Sequence, residues 1–254
     1  MDTGIAVAEK VEKAEGSELV DPRDRLIVAL DFPSKEAAME LVDQLQGNCR
    51  WFKVGMELYY AAGNAVVEHL RDRGFEVFLD LKLHDIPNTV AGAVKTVARA
   101  GASLLTIHAG GGEAMLRAAA AAASGPDAPR LLAVTVLTSM DAGQLEGVGV
   151  CDAAGGRMGA QVMRLAKLAQ SAGIDGLVCS AEEVGAVREA MGPRALLVVP
   201  GIRPAGADVG DQMRVATPGE AMRRGASMLV VGRPITLADD PAKAAAGILR
   251  EMAG

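Results

Sequence analysis

From Arg25 onward a short β-like run followed by a helical one recurs eight times with short loops between, and this recurrence constrains the fold more than any single motif. The β-like runs are residues 26–31, 51–56, 75–82, 104–108, 131–137, 176–179, 195–200 and 228–231. Helical patterns follow at 34–46, 59–73, 87–100, 112–123, 160–172, 181–191, 218–224 and 241–252. Ser34 stands where it can cap the first helix on Ala37, and Gly47, Gly74, Gly101, Gly173, Gly192 and Gly225 each close a helix ahead of the next strand. Eight right-handed crossovers either close into a barrel or extend as an open doubly wound sheet. Two features favour closure. No Gly-x-Gly-x-x-Gly follows the first strand, and polar residues stand at the C-terminal ends of nearly all strands, as the single ligand face of a barrel requires. The expected fold is α/β, an eight-stranded parallel (β/α)8 TIM barrel over residues 25–254, with residues 1–24 as a tail or short surface helix. The length, 254 residues, is ordinary for one such domain.

The strand ends, taken together, define a candidate site. Strand one ends in Asp31, strand two carries Lys53, strand three gives Asp80 and Lys82, strand four ends in His108, and strand five runs into Thr138 and Ser139. The densest stretch is 80–89, Asp-Leu-Lys-Leu-His-Asp-Ile-Pro-Asn-Thr. Strand alternation sends Asp80 and Lys82 to one side and Leu79, Leu81 and Leu83 to the other, so carboxylate and ammonium share one cavity while the leucines pack against helices. Asp85 follows in the loop, and Pro87 suits the first turn of the next helix, where its missing N–H costs nothing. A lone Asp-x-Lys pair could be a salt bridge closing a sheet end. Here a third charge and a histidine crowd into the same few residues after a buried strand, which is costly to desolvate unless the site uses them.

Strands seven and eight end in Pro200-Gly201-Ile202-Arg203 and Gly232-Arg233-Pro234. Glycines allow backbone N–H groups close to an anion, each loop brings an arginine, and barrels commonly bind phosphate at these two strands. The polar loop 205–217 between them contains Gly210-Asp211-Gln212 and reads as a lid whose Gln212 reaches the ligand. The glycine-rich loop 139–159 is a second candidate cover.

Composition narrows the partners. A formal charge of −6 and the lack of a Lys/Arg run with interleaved aromatics argue against nucleic acid. Three scattered cysteines, Cys49, Cys151 and Cys179, have no metal-ligand spacing and suit a reducing compartment. No apolar run has transmembrane length, and the first 24 residues have charges where a signal peptide needs an apolar segment, so a cytoplasmic location with no membrane partner is expected.

The motifs Leu30-Asp31-Phe32, Phe52-Lys53-Val54-Gly55, the 80–89 stretch, Leu137-Thr138-Ser139, Pro200-Gly201-Ile202-Arg203, Gly210-Asp211-Gln212 and Val231-Gly232-Arg233-Pro234 together resemble the bacterial type of orotidine 5′-phosphate decarboxylase. The resemblance runs from about Asp31 to Pro234. It implies decarboxylation of orotidine 5′-monophosphate to uridine 5′-monophosphate in pyrimidine biosynthesis, with no metal and no organic cofactor. By the same resemblance Lys82 donates the proton to C6, with Asp80 beside the departing carboxylate and Asp85 on the other side of the ammonium. Asp31 and Lys53 hold the ribose, and Asp85, Ile86 and Thr89 reach the other subunit's site in a homodimer. Thr138 and Ser139 contact the ligand, Ser139 at the pyrimidine edge, and Gln212, Gly232 and Arg233 bind phosphate with Arg203 nearby.

Two rivals share the barrel. Magnesium-dependent sugar-phosphate decarboxylases or aldolases resemble the Asp-x-Lys-x-x-Asp signature but are similar in holding the metal with an acidic residue at position 53, where a lysine repels it. A non-catalytic nucleotide-binding relative gains little from burying so many charges.

Overall fold

A computed structural model describes residues 21–45, 47–150, 158–204 and 216–254. Eight parallel strands close into a barrel in sequence order. They are β1 (Leu26–Leu30), β2 (Trp51–Gly55), β3 (Glu76–Leu83), β4 (Leu104–His108), β5 (Arg130–Val134), β6 (Gly176–Val178), β7 (Leu196–Val199) and β8 (Met228–Val231). Closure joins the first strand to the last through Leu26↔Leu229, Ile27↔Val230 and Val28↔Val231. The helices are α1 (Lys35–Gln44), α2 (Met56–Ala62), α3 (Asn64–Asp72), α4 (Pro87–Arg99), α5 (Gly112–Ala122), α6 (Ala142–Gly147), α7 (Met158–Ser171), α8 (Val184–Met191), α9 (Pro218–Arg223), α10 (Arg233–Thr236) and α11 (Pro241–Ala253). None of the described helices is long and apolar enough to cross a membrane.

Strand alternation divides the apolar residues into two layers. Ile27, Ala29, Trp51, Phe78, Leu132 and Val198 pack with one another inside the barrel. Their neighbours Leu26, Val28, Leu30, Val77 and Leu79 face the surrounding helices. Both faces are buried, which is why these strands read as continuous apolar runs. At the N-terminal end, arginines tie the strands together. Arg25 donates to the carbonyls of Ser227 at 2.9 Å and Ala226 at 2.7 Å, across the β1–β8 seam. Arg71 reaches Glu76 at 2.6 Å, and Arg130 reaches Asp175 at 3.0 Å.

Local signals are realised where expected. Ser34 accepts from the Ala37 N–H at 3.3 Å, and all six helix-closing glycines hold positive φ. Two expectations need correction, and two short helices are additional. The single helix over 59–73 is two helices, because Gly63 with φ 61° breaks the run between α2 and α3. β5 stops at Val134 instead of running to residue 137; just beyond it the Thr135 N–H and hydroxyl both donate to the Val178 carbonyl on β6. The helices α6 and α10 follow directly after ligand-side loops and are too short to show a sequence period.

Candidate active site

The upper layer of the barrel interior is polar. Register places Ala29, Lys53 and Phe78 side by side across β1, β2 and β3, with Gly55 opposite Asp80 one step higher. Lys53 is buried, and its ammonium lies 2.8 Å from Asp31 Oδ1 and 3.7 Å from Asp80 Oδ2. The Lys82 ammonium donates to both Asp80 oxygens at 2.9 Å. The order is therefore Asp31, Lys53, Asp80, Lys82, alternating in sign across three strands. Asp80 is nearly buried, Lys82 is half-buried, and Asp31 at the open end has 58% of its side chain exposed.

The alternation expected through 80–83 is carried by an irregular backbone. Lys82 has φ 50°, the only positive φ at a non-glycine among the described residues. The β3–β4 register slips at this point, from Leu79↔Leu105 to Leu83↔Ile107. A lysine in the left-handed region costs of order 1–3 kcal/mol, and such conformations cluster where a site needs them. The backbone N–H freed from the ladder donates to Thr106 Oγ1 at 2.8 Å, and the Thr106 hydroxyl donates to Asp80 Oδ1 at 2.9 Å. Burial pushes the Asp80 carboxyl up, but the ammoniums of Lys53 and Lys82 and the hydrogen bonds from Lys82 and Thr106 outweigh it, leaving Asp80 below the ordinary carboxylate range. Asp80 stays ionised.

Two contributors were not singled out from the sequence. Thr106 is fully buried, and the signal for it was its place on the inner face two residues before His108 in an otherwise apolar strand. Gly55 is the other. A Cβ there would stand 2.9 Å from both Asp31 Oδ1 and Lys53 Nζ, so the ion pair occupies the space a side chain would fill. His84 and His108 face each other with ring centroids 5.3 Å apart. Burial first, then the charges of His84 and Lys82, depress the His108 pKa against a weaker opposite pull from Asp80.

The remaining expected residues divide by exposure. Within one chain Asp85 does not flank Lys82: it is exposed and accepts from the Ile86 N–H at 2.6 Å, with no ion pair among the described residues. Ile86 and Thr89 are exposed beside it. Thr138 is half-buried and Ser139 exposed at the top of β5. Arg203 is half-buried; its N–H donates to the Ala216 carbonyl at 3.0 Å, and its guanidinium to the Ile202 carbonyl at 2.9 Å. The preceding Gly201 has φ 76°, the left-handed conformation that turns the chain off β7. Gly232 caps α10, and Arg233 is exposed at its first turn. Gln212, with loop positions 205–215, lies outside the described residues, as do 151–157 of the second loop.

Residues 24–248 match the family model described as orotidine 5′-phosphate decarboxylase / HUMPS family. The chain belongs to that family. A relative from Moorella thermoacetica, named orotidine 5′-phosphate decarboxylase, is 52% identical over 237 residues, covering 91% of this chain and 92% of its own. One of the same name from Anaeromyxobacter dehalogenans is 55% identical over 227 residues, covering 89% and 97%. The crystal structure of orotidine 5′-phosphate decarboxylase from Lactobacillus acidophilus superposes with a TM-score of 0.79 at 41% identity, covering 90% of this chain and 98% of that one. The match covers all eight strands, and the alternating charges sit at the ligand face common to barrel enzymes.

Proposed function

We propose that this chain decarboxylates orotidine 5′-monophosphate to uridine 5′-monophosphate with no metal and no organic cofactor. The observation that carries the reading is the Lys82 ammonium held 2.9 Å from both oxygens of an ionised, nearly buried Asp80 at the barrel mouth. When the C6–carboxylate bond breaks and CO₂ leaves, the electron pair stays on C6 in an orbital perpendicular to the ring π system. The ring cannot delocalise it. A fixed cation at that point stabilises the developing charge and then transfers a proton to it with little movement. Proton donation alone contributes about 10²–10⁴-fold, whereas demanding reactions call for up to about 23 kcal/mol of barrier lowering. Binding energy from the phosphate end, at Arg203, Gln212, Gly232 and Arg233, supplies a further part by aligning the charge array.

In this reading Asp80 lies beside the departing carboxylate and orients Lys82, Asp31 and Lys53 hold the ribose hydroxyls, and Thr138 and Ser139 face the ring. The exposure of Asp85, Ile86 and Thr89 supports a homodimer in which they complete the partner's site, bringing an aspartate to the open side of Lys82. The magnesium-dependent reading is disfavoured by Lys53, whose ammonium sits between Asp31 and Asp80 where a divalent cation would need to go. A purely binding role leaves the strained backbone at Lys82 without purpose.

The test follows the loss of orotate-ring ultraviolet absorbance with orotidine 5′-monophosphate, a chelator present and Lys82→Ala alongside. Turnover that survives chelation and vanishes in the variant is expected. An inactive wild-type protein that still binds the nucleotide would overturn the reading.

A further inference from the structure

Thr106 is fully buried on β4, faces the charge array, and has no part in the roles assigned above. Resting on the proposed decarboxylase reading, we propose that Thr106 is the positioning residue of this site: its one hydroxyl anchors the left-handed backbone at Lys82 and orients the Asp80 carboxylate beside the ammonium.

The direction of both hydrogen bonds is fixed by chemistry. A backbone N–H can only donate and an ionised carboxylate can only accept, so the hydroxyl accepts from Lys82 at 2.8 Å and spends its single proton on Asp80 Oδ1 at 2.9 Å. The register slip between Leu79 and Leu83 removes the ladder partner that the Lys82 N–H would have had on β4. Without the hydroxyl that donor is left unsatisfied, and the β4 pairing on either side, at Leu79↔Leu105 and Leu83↔Ile107, does not reach it. The carboxylate would keep its two contacts to Lys82 but lose the one that comes from a rigid strand. Thr106 thus ties the two neighbours of one β3 turn to a strand that carries no charge in the array, and Asp80 and Lys82 cannot rotate independently.

The variants are Thr106→Val, which keeps shape and branching but lacks the hydroxyl, and Thr106→Ser, which keeps the hydroxyl and loses only a methyl. Steady-state decarboxylation of orotidine 5′-monophosphate and hydrogen exchange at the Lys82 amide are measured on both and on wild type. Expected is a fall in kcat of roughly 10²-fold for Thr106→Val, the scale for displacing a reacting group by about 1 Å, with KM little changed. Thr106→Ser is expected to recover most of kcat. The Lys82 amide should exchange fast in the valine variant and slowly in the other two. Unchanged kcat in Thr106→Val, an equal loss in Thr106→Ser, or a rise in KM alone would overturn the positioning role. Equal amide protection in all three proteins would overturn the anchor, and this arm needs no substrate. An inactive wild-type enzyme would instead overturn the decarboxylase reading, with the exchange data still deciding the anchor.

Discussion

Gly55→Ala adds one methyl group at the point where the row of alternating charges begins, and its effects on stability and on turnover should part company. The backbone at Gly55, φ −87° and ψ −179°, is one that alanine adopts freely, so the substitution strains no torsion. The conflict is confined to the ion pair: the new Cβ would lie 2.9 Å from Asp31 Oδ1 and 2.9 Å from Lys53 Nζ, and ordinary contact requires each to retreat by about 0.5 Å or more. Lengthening the 2.8 Å bridge to about 4 Å weakens the attraction by about 2 kcal/mol at an effective dielectric of 20. Asp31 is more than half exposed, so screening reduces that loss below about 1 kcal/mol. The alanine returns about 0.4–1 kcal/mol by restricting the unfolded chain. Net stability should therefore be nearly unchanged. Turnover should not be, because a misplaced binding group costs on the order of 10²-fold. The assay is kcat/KM beside the thermal midpoint, repeated in an Asp31→Ala background where the methyl has half as much to displace. Wild-type kcat/KM in Gly55→Ala, or losses that simply multiply in the double variant, would refute the reasoning.

Other predictions address the ends of the site. Arg233→Ala should lower kcat/KM on orotidine 5′-monophosphate far more than on unphosphorylated orotidine; equal losses on the two would remove Arg233 from the phosphate site. Ile86→Glu, at a side chain that is 67% exposed in the single chain, should shift the protein to monomer in sedimentation and abolish most activity; an active dimer would refute the shared-site reading. His108 has a folded pKa below its ordinary value of 6.5, so acidification through that value favours the unfolded state, which takes up the proton more readily. Stability should therefore fall as pH drops from about 7 to 5, and urea midpoints of His108→Gln should show a shallower fall.

Much of the fold was legible because each strand carries its own punctuation. The six glycines that end helices and the polar residues that end strands are local signals, and local signals survive without a structure. What escaped were features set by contact across strands. The φ of Lys82 depends on a register slip against β4, which has no signature in the residues 80–83 themselves. Gly55 looks like a plain strand terminus until the Lys53–Asp31 bridge is seen to occupy its missing side chain. Thr106 looked like a β-branched strand former, a role threonine fills anywhere. The break at Gly63 was hidden because apolar residues continue on both sides of it. Lys53, Asp80 and Lys82 were the easiest to find, since a charge in a buried strand is rarely kept unless it is paired or used. Asp85 was assigned to another chain's site through the family resemblance alone, because strand alternation stops before its loop and fixes no direction there.

The clasp at the β1–β8 seam has a consequence for synthesis. Arg25 and its acceptor Ser227 are separated by 202 positions. At about 5–20 residues per second, β1 waits roughly 10–40 s after emerging before its last neighbour exists. During that interval Leu-Ile-Val-Ala-Leu is an apolar strand with one bare edge, a template for pairing with other chains. The four alternating charges are all made early, yet they acquire their low-dielectric enclosure only when the ring closes. Until then the nascent chain holds the four charges without the enclosure that strengthens their interaction.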